Sequence, residues 1–144
     1  MSVELVKLFS SVDRVLKTNL QGITNAESLT QIDNCNSLNW LVGHLVICRN
    51  DVHSLIGIPA IGNEKMKAMY ERGSKRMTDT SGAEDLETLV KMFDESQVKV
   101  MEGVAKVTDE QVKEKLTFLG FHEAYHVGQI GTMRKLLGKE GAIK

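Results

Sequence analysis

Phe121-His122-Glu123-Ala124-Tyr125-His126-Val127-Gly128-Gln129-Ile130 is the stretch on which the fold and chemistry of this chain turn. It carries two of the four histidines, four residues apart. Around them Leu119, His122, His126, Ile130, Met133 and Leu137 recur at steps of three or four, the period that puts side chains on one face of an α-helix. Both histidines therefore stand on the stripe expected to face a core. Side chains at i and i+4 lie ~6 Å apart along the helix axis, so two such imidazoles can reach one metal ion at ~2.0–2.1 Å each. A third ligand has to come from elsewhere in the chain.

The same period organises what lies upstream and predicts an all-α, four-helix bundle. A first helix is expected from about Ser2 to Leu20, with Leu5, Leu8, Phe9, Val12, Val15 and Leu16 on its apolar face. Gly22, Asn25 and the polar run Thr30-Gln31-Ile32-Asp33-Asn34 break it. The second begins at Asn36 or Ser37, either a fair N-cap, and carries Leu41, His44, Leu45, Cys48, Val52 and Leu55 inward until Gly57-Ile58-Pro59 stops it. Residues 57–80 form a connection longer than the usual helix–helix loop. It has room for a short helix over Glu64–Glu71 and permits either a crossover or a cover over one end of the bundle.

The third helix is expected to open on the capping-box match Ser81-Gly82-Ala83-Glu84 and to bury Leu86, Leu89, Val90, Phe93, Val100, Met101, Val104 and Val107. Thr108-Asp109-Glu110-Gln111 is a second such match, read as a short turn ahead of the fourth helix. That helix runs from about Leu116 to Leu137 and ends at Gly138, a suitable C′ residue.

Composition narrows the class. A chain of 144 residues is long enough for one self-supporting domain over 1–144. A formal charge of −1 with interspersed signs leaves no basic footprint for nucleic acid and no polybasic patch for a membrane. Cys35 and Cys48 form no CxxC pair and fit reduced thiols in a cytoplasmic setting. The start Met1-Ser2-Val3-Glu4-Leu5 lacks the basic and apolar regions of a signal peptide. The near-apolar run Leu38–Cys48 is interrupted by Asn39 and His44 and is too short for a bilayer.

His44 supplies the missing ligand. It lies on the inward stripe of the second helix, whereas His53, nine residues on and about 900° around, falls on the opposite face. A core histidine satisfied by a carbonyl or carboxylate is the plain alternative for each one alone. Three inward imidazoles in one small bundle favour a shared divalent ion, because buried polar groups without partners cost free energy.

His122-Glu123-Ala124-Tyr125-His126 also matches H-E-x-x-H, in which the glutamate is the general base of a zinc peptidase. The extended form of that motif needs glycine and histidine where Gln129 and Thr132 stand. A downstream glutamate ligand has only Glu140, beyond Gly138, to draw on. The peptidase is disfavoured.

Trp40-Leu41-Val42-Gly43-His44-Leu45, then His122-Glu123-Ala124-Tyr125-His126-Val127-Gly128-Gln129-Ile130, and a close on Arg134-Lys135-Leu136-Leu137-Gly138 resemble the DinB-like superfamily along essentially the whole chain. The resemblance implies a four-helix bundle whose metal triad falls on His44, His122 and His126. It also implies one divalent ion, commonly zinc or nickel, and frequent homodimers. Members include S-transferases and an isomerase that use low-molecular-weight thiols, beside proteins described as metal-dependent hydrolases. A small-molecule substrate, such as a thiol, is the partner implied. No nucleic acid or membrane is expected.

Three neutral imidazoles leave coordination positions open, the pattern of catalytic zinc sites. Such a position acidifies water to a pKa of about 7, or takes a thiolate directly. A metal-dependent transferase or hydrolase is expected, with a non-catalytic metal or ligand binder of the same fold as the alternative. Glu123 is the catalytic candidate, as general base or as an acceptor behind a ligand; a solvated helix-surface carboxylate is the competing assignment. Asp51 sits two turns beyond His44, and Tyr125 and Gln129 are candidate pocket residues. Cys48, at i+4 from His44, is a soft ligand only if the histidines do not suffice. Gly43 and Gly128 fit close helix packing.

Overall fold

The computed structural model describes residues 2–143. Met1 and Lys144, at the two ends of the expected domain, lie outside the described residues. Among those residues there are six helices and no strand: α1 (Val3–Leu20), α2 (Asn25–Ser28), α3 (Leu38–Ile56), α4 (Glu64–Tyr70), α5 (Leu86–Ala105) and α6 (Glu110–Leu136). The protein is all-α. None of these helices is long and apolar enough to cross a membrane.

The four long helices pack α1 on α5 and α6, and α3 on α5 and α6. Paired contacts give their directions. Asn39 meets Glu84, His53 meets Ser96 and Ile56 lies over Gly103, so α3 and α5 run the same way. Ser2 meets Ala105 and Phe9 meets Gln97, so α1 runs against α5. His44 faces His126 while Arg49 faces Glu123, which makes α3 and α6 antiparallel. Between two parallel helices the chain must travel back the length of one of them, and residues 57–85 make that crossover.

The crossover does more than connect. Its helix α4 lies on α3, capped by Asn63, whose side chain accepts from Met66 N–H. Tyr70 at its end is fully buried. A Cβ on Gly43 would come within 2.3 Å of the Tyr70 ring, so Gly43 permits this close approach. Gly128 has no neighbour within 4 Å of such a Cβ, and tight packing is not its role. Because α4 covers the outer side of α3, every residue from Leu38 to Ile47 is buried. Over this half of the helix the single inward stripe expected is therefore replaced by burial all round, while Asp51 and Ser54 in the second half are exposed.

Three local expectations shift. The run after α1 contains the short helix α2, opened by a Thr24–Glu27 capping box. Helix α5 starts at Leu86 and not at the Ser81 match. Glu84, which a helix from Ser81 would include, instead donates its N–H to Tyr70 Oη, and its carbonyl accepts from Asn39 Nδ2–H. Leu86 N–H is taken by Asn25 Oδ1 from the distant α2, a cap supplied by tertiary structure. Helix α6 begins at Glu110 without a preceding turn, and its cap is Asp109, accepting from Val112 N–H, rather than Thr108. Ser37 caps α3 by accepting from Trp40 N–H, and Gly57 and Gly138 take positive φ just past α3 and α6.

The core divides in two. The larger cluster includes Leu41, Leu45, Tyr70, Phe93, Val127 and Ile130; the smaller gathers Leu5, Phe9, Val52, Val100, Val104 and Leu116. Arg49 and Glu123 are buried where the two meet.

Candidate metal centre

His44 on α3 and His122 and His126 on α6 converge. One ring nitrogen from each lies within 4.8 Å of the other two. The ring centroids stand 4.7 Å apart for His44–His126, 5.4 Å for His44–His122 and 4.5 Å for His122–His126. His44 is 2 % exposed and His126 9 %, while His122 is half-buried.

Two rings are held in a defined tautomer. His44 Nδ1 donates to the Tyr70 carbonyl at 2.7 Å; a carbonyl only accepts, so the proton sits on Nδ1 and Nε2 keeps its lone pair. The same ring stacks on Trp40, 4.6 Å between centroids and 11° between planes. Trp40 is in turn fixed by its indole N–H to Met69 O and Ser74 Oγ. His126 Nδ1 donates to Gln129 Oε1 at 2.7 Å. A hydrogen-bonded Nδ1 behind a metal-facing Nε2 is the usual support of a histidine ligand.

The donor set fits a divalent cation. His122 Nε2 and His126 Nε2 are 3.0 Å apart, against ~3.0 Å for ligands at right angles and ~3.3 Å for tetrahedral ones at bond lengths of 2.0–2.1 Å. Burial lowers the pKa of all three rings from the usual 6.5, His126 to about 4; neighbouring rings add to the effect at His122 and His126, and the Arg72 charge adds to it at His44. They are neutral at pH 7, the form that binds metal. The triad could therefore hold a metal ion.

That shift carries a pH dependence. Below 6.5 the unfolded chain takes up a proton at position 126, whereas the folded chain resists until about 4. The group's contribution to stability is thus full above pH 6.5 and is lost as pH falls toward 4. His44, His122 and the buried His53 are lowered in the same direction. Metal-free protein should melt progressively lower between pH 6.5 and 4 in calorimetry. A melting temperature flat across that window would contradict the buried, neutral state of these rings.

The other candidates are placed as follows. Glu123 is 2 % exposed and is not a solvated surface carboxylate. It is not at the triad's disposal either, because both its oxygens accept from Arg49, Nη2–H to Oε2 at 3.0 Å and Nε–H to Oε1. A free general base is not what this geometry provides. Burial pushes its carboxyl up and the guanidinium opposes that.

His53 lies away from the triad, as its helical angle requires, but it does not reach solvent. At 1 % exposure its Nδ1 donates to Pro59 O and its Nε2 accepts from Ser96 Oγ. Cys48 Sγ is 3.5 Å from His44 Nε2, with its thiol pushed up to about 12 by burial and by the Asp51 and Glu123 carboxylates; it stays protonated. Cys35 is exposed and unpaired with Cys48. Tyr125 is exposed, its ring edge-on to His126 at 5.2 Å.

A cavity of about 500 Å³ lies between α3, α4 and the Ala60–Asn63 turn; it is lined by Cys48, the neighbour of His44, with Asp51, Lys67, Glu71 and Arg72 among others, and by none of the three histidines. Two supports escaped the sequence. The Tyr70 carbonyl is a backbone group and leaves no residue signature. Arg49 sits one position beyond Cys48 in an apolar run, where a lone arginine is itself a signal of a buried partner.

Comparison with known proteins adds no relative: no protein-family model, no curated protein and no solved structure matches this chain.

Proposed function

We propose that this chain is a metal-dependent enzyme with one divalent ion, zinc or nickel, on His44, His122 and His126, acting on a small molecule as a thiol S-transferase or hydrolase. The observation that carries the reading is the convergence of three neutral imidazoles, two with Nδ1 already committed. Imidazole suits both metals. The likeness to the DinB-like superfamily in the residues around the three histidines supports the same reading, as does the packing of four long helices, which we take as a four-helix bundle. Homodimers are part of the proposal; Phe118, Phe121 and Tyr125, exposed along one side of α6, offer apolar area for a partner. So is a cytoplasmic setting, in keeping with two free thiols.

A divalent ion there would supply Lewis acidity, lowering the pKa of a thiol or water in its open position. The chain's own contribution is to hold the three rings neutral and oriented and to shield His44 and His126 from water. In the transfer, the thiol sulfur forms a bond to an electrophilic carbon, the leaving group departs with its electron pair, and the thiol proton passes to solvent.

The burial of His44 at 2 % exposure favours the second reading, a binder without turnover. Zinc- and nickel-loaded protein should turn over a low-molecular-weight thiol with an electrophile, or hydrolyse a small ester, well above the chelated protein and His122→Ala. Stoichiometric metal with no turnover in either assay would leave the binder standing.

A further inference from the structure

We propose that the buried Arg49–Glu123 pair is a positioning device for the metal centre: it sets the rotation and register of α6 on α3 so that His122 and His126 meet His44. The inference rests on the metal-binding reading of the triad but not on catalysis. Arg49 is five residues after His44 on α3, and Glu123 directly follows His122 on α6. The pair thus ties together the same two antiparallel helices as the three histidines, about one turn away.

Metal ligation tolerates deviations of only about 0.2 Å, whereas a slip of one residue along a helix is ~1.5 Å. Apolar packing is non-directional and is a poor guard against such a slip here. Helix α6 carries large apolar residues on several sides: Val127, Ile130 and Met133 are buried, but Phe118, Phe121, Tyr125 and Leu136 are exposed. At ~100° per residue the two sets are centred about 150° apart, so a rotation of that size would exchange one apolar set for the other. Hydrophobicity therefore leaves the facing of this helix weakly specified.

A bidentate arginine–carboxylate contact is directional in both distance and plane. Arg49 is itself clamped: Nη2 also donates to Gln97 Oε1 at 2.9 Å, Gln97 donates to Phe9 O, and the guanidinium lies over the Phe93 ring at 4.0 Å. Optimal stability is not the evident purpose, since Arg49 Nη1 is buried and meets no acceptor among the described residues. Apolar replacement of a buried ion pair is often neutral or stabilising.

The test compares Arg49→Met/Glu123→Leu with wild type by circular-dichroism melting, by zinc affinity in a chelator competition, and by the visible absorption of cobalt(II) as a reporter of coordination. The double variant should keep its helical signal and melting temperature. It should bind zinc about 10–100-fold more weakly, as loss of groups supporting ligands does, with an altered cobalt spectrum. Glu123→Gln, which keeps the shape and one acceptor, should fall between the two. An unchanged zinc affinity and cobalt spectrum in the double variant would overturn the proposal. If that variant does not fold, an unchanged affinity in Glu123→Gln would do the same. Wild-type protein that binds no zinc would bring down the metal centre itself, a failure distinct from that of the positioning role.

Discussion

Replacing His126 with alanine should strip the chain of its metal. Protein purified without an affinity tag should contain one divalent ion per chain by elemental analysis, and His44→Ala, His122→Ala and His126→Ala should each contain close to none. Each substitution removes one of three nitrogens that lie within 4.8 Å of each other. The loss should exceed the ~10–100-fold that removal of a mere supporting group costs. His53→Ala should retain its metal. That ring is spent on Pro59 O and Ser96 Oγ, so its loss is a stability defect of about 1–3 kcal/mol from the orphaned Ser96 hydroxyl and the space left behind. All four proteins should stay helical without metal, because two apolar clusters supply the core independently of it, unlike small zinc domains that unfold on chelation. Equal metal loss in all four variants would refute the assignment of the triad, and collapse of the helical signal on chelation would mean a structural ion.

Arg49→Ala should be the most damaging single change to the fold. It leaves the Glu123 carboxylate buried at 2 % exposure without its cation, a situation that costs about 3–5 kcal/mol. The Gln97 contact and the stacking on Phe93 go with it. At ~2–4 °C per kcal/mol for a chain near this size, melting should fall by roughly 10 °C. The defect should shrink in acid. An unpaired buried carboxyl has a folded pKa above its unfolded one, so it stabilises below the unfolded pKa and loses that contribution as pH rises. The difference from wild type should accordingly be smaller at pH 5 than at pH 8. A melting temperature within ~2 °C of wild type at pH 7 would show that Glu123 finds water or another partner, and that the pair is not isolated in the core.

Periodicity with caps and breakers determined the all-helical class, the extents of α1 and α3 within two residues, and α4 inside the connection, since each is a local preference of the chain. The three histidines were legible for the same reason: i,i+4 spacing on α6 and the inward angle of His44 are properties of single helices.

What the sequence could not decide are contacts between segments far apart in the chain. The start of α5 was misplaced because Asn25, Asn39 and Tyr70 compete for the backbone that a local capping box would have used. The crossover, and with it the burial of Leu38–Ile47 on all sides, depends on how α4 docks. Glu123 is not the solvated surface carboxylate that helix position alone allows. Its partner lies 74 residues away, and only the antiparallel seating of α6 on α3 brings that guanidinium to it. A spacing states which face a side chain occupies; what waits opposite that face is decided by the packing of helices, because burial and hydrogen-bond satisfaction are properties of the assembled core.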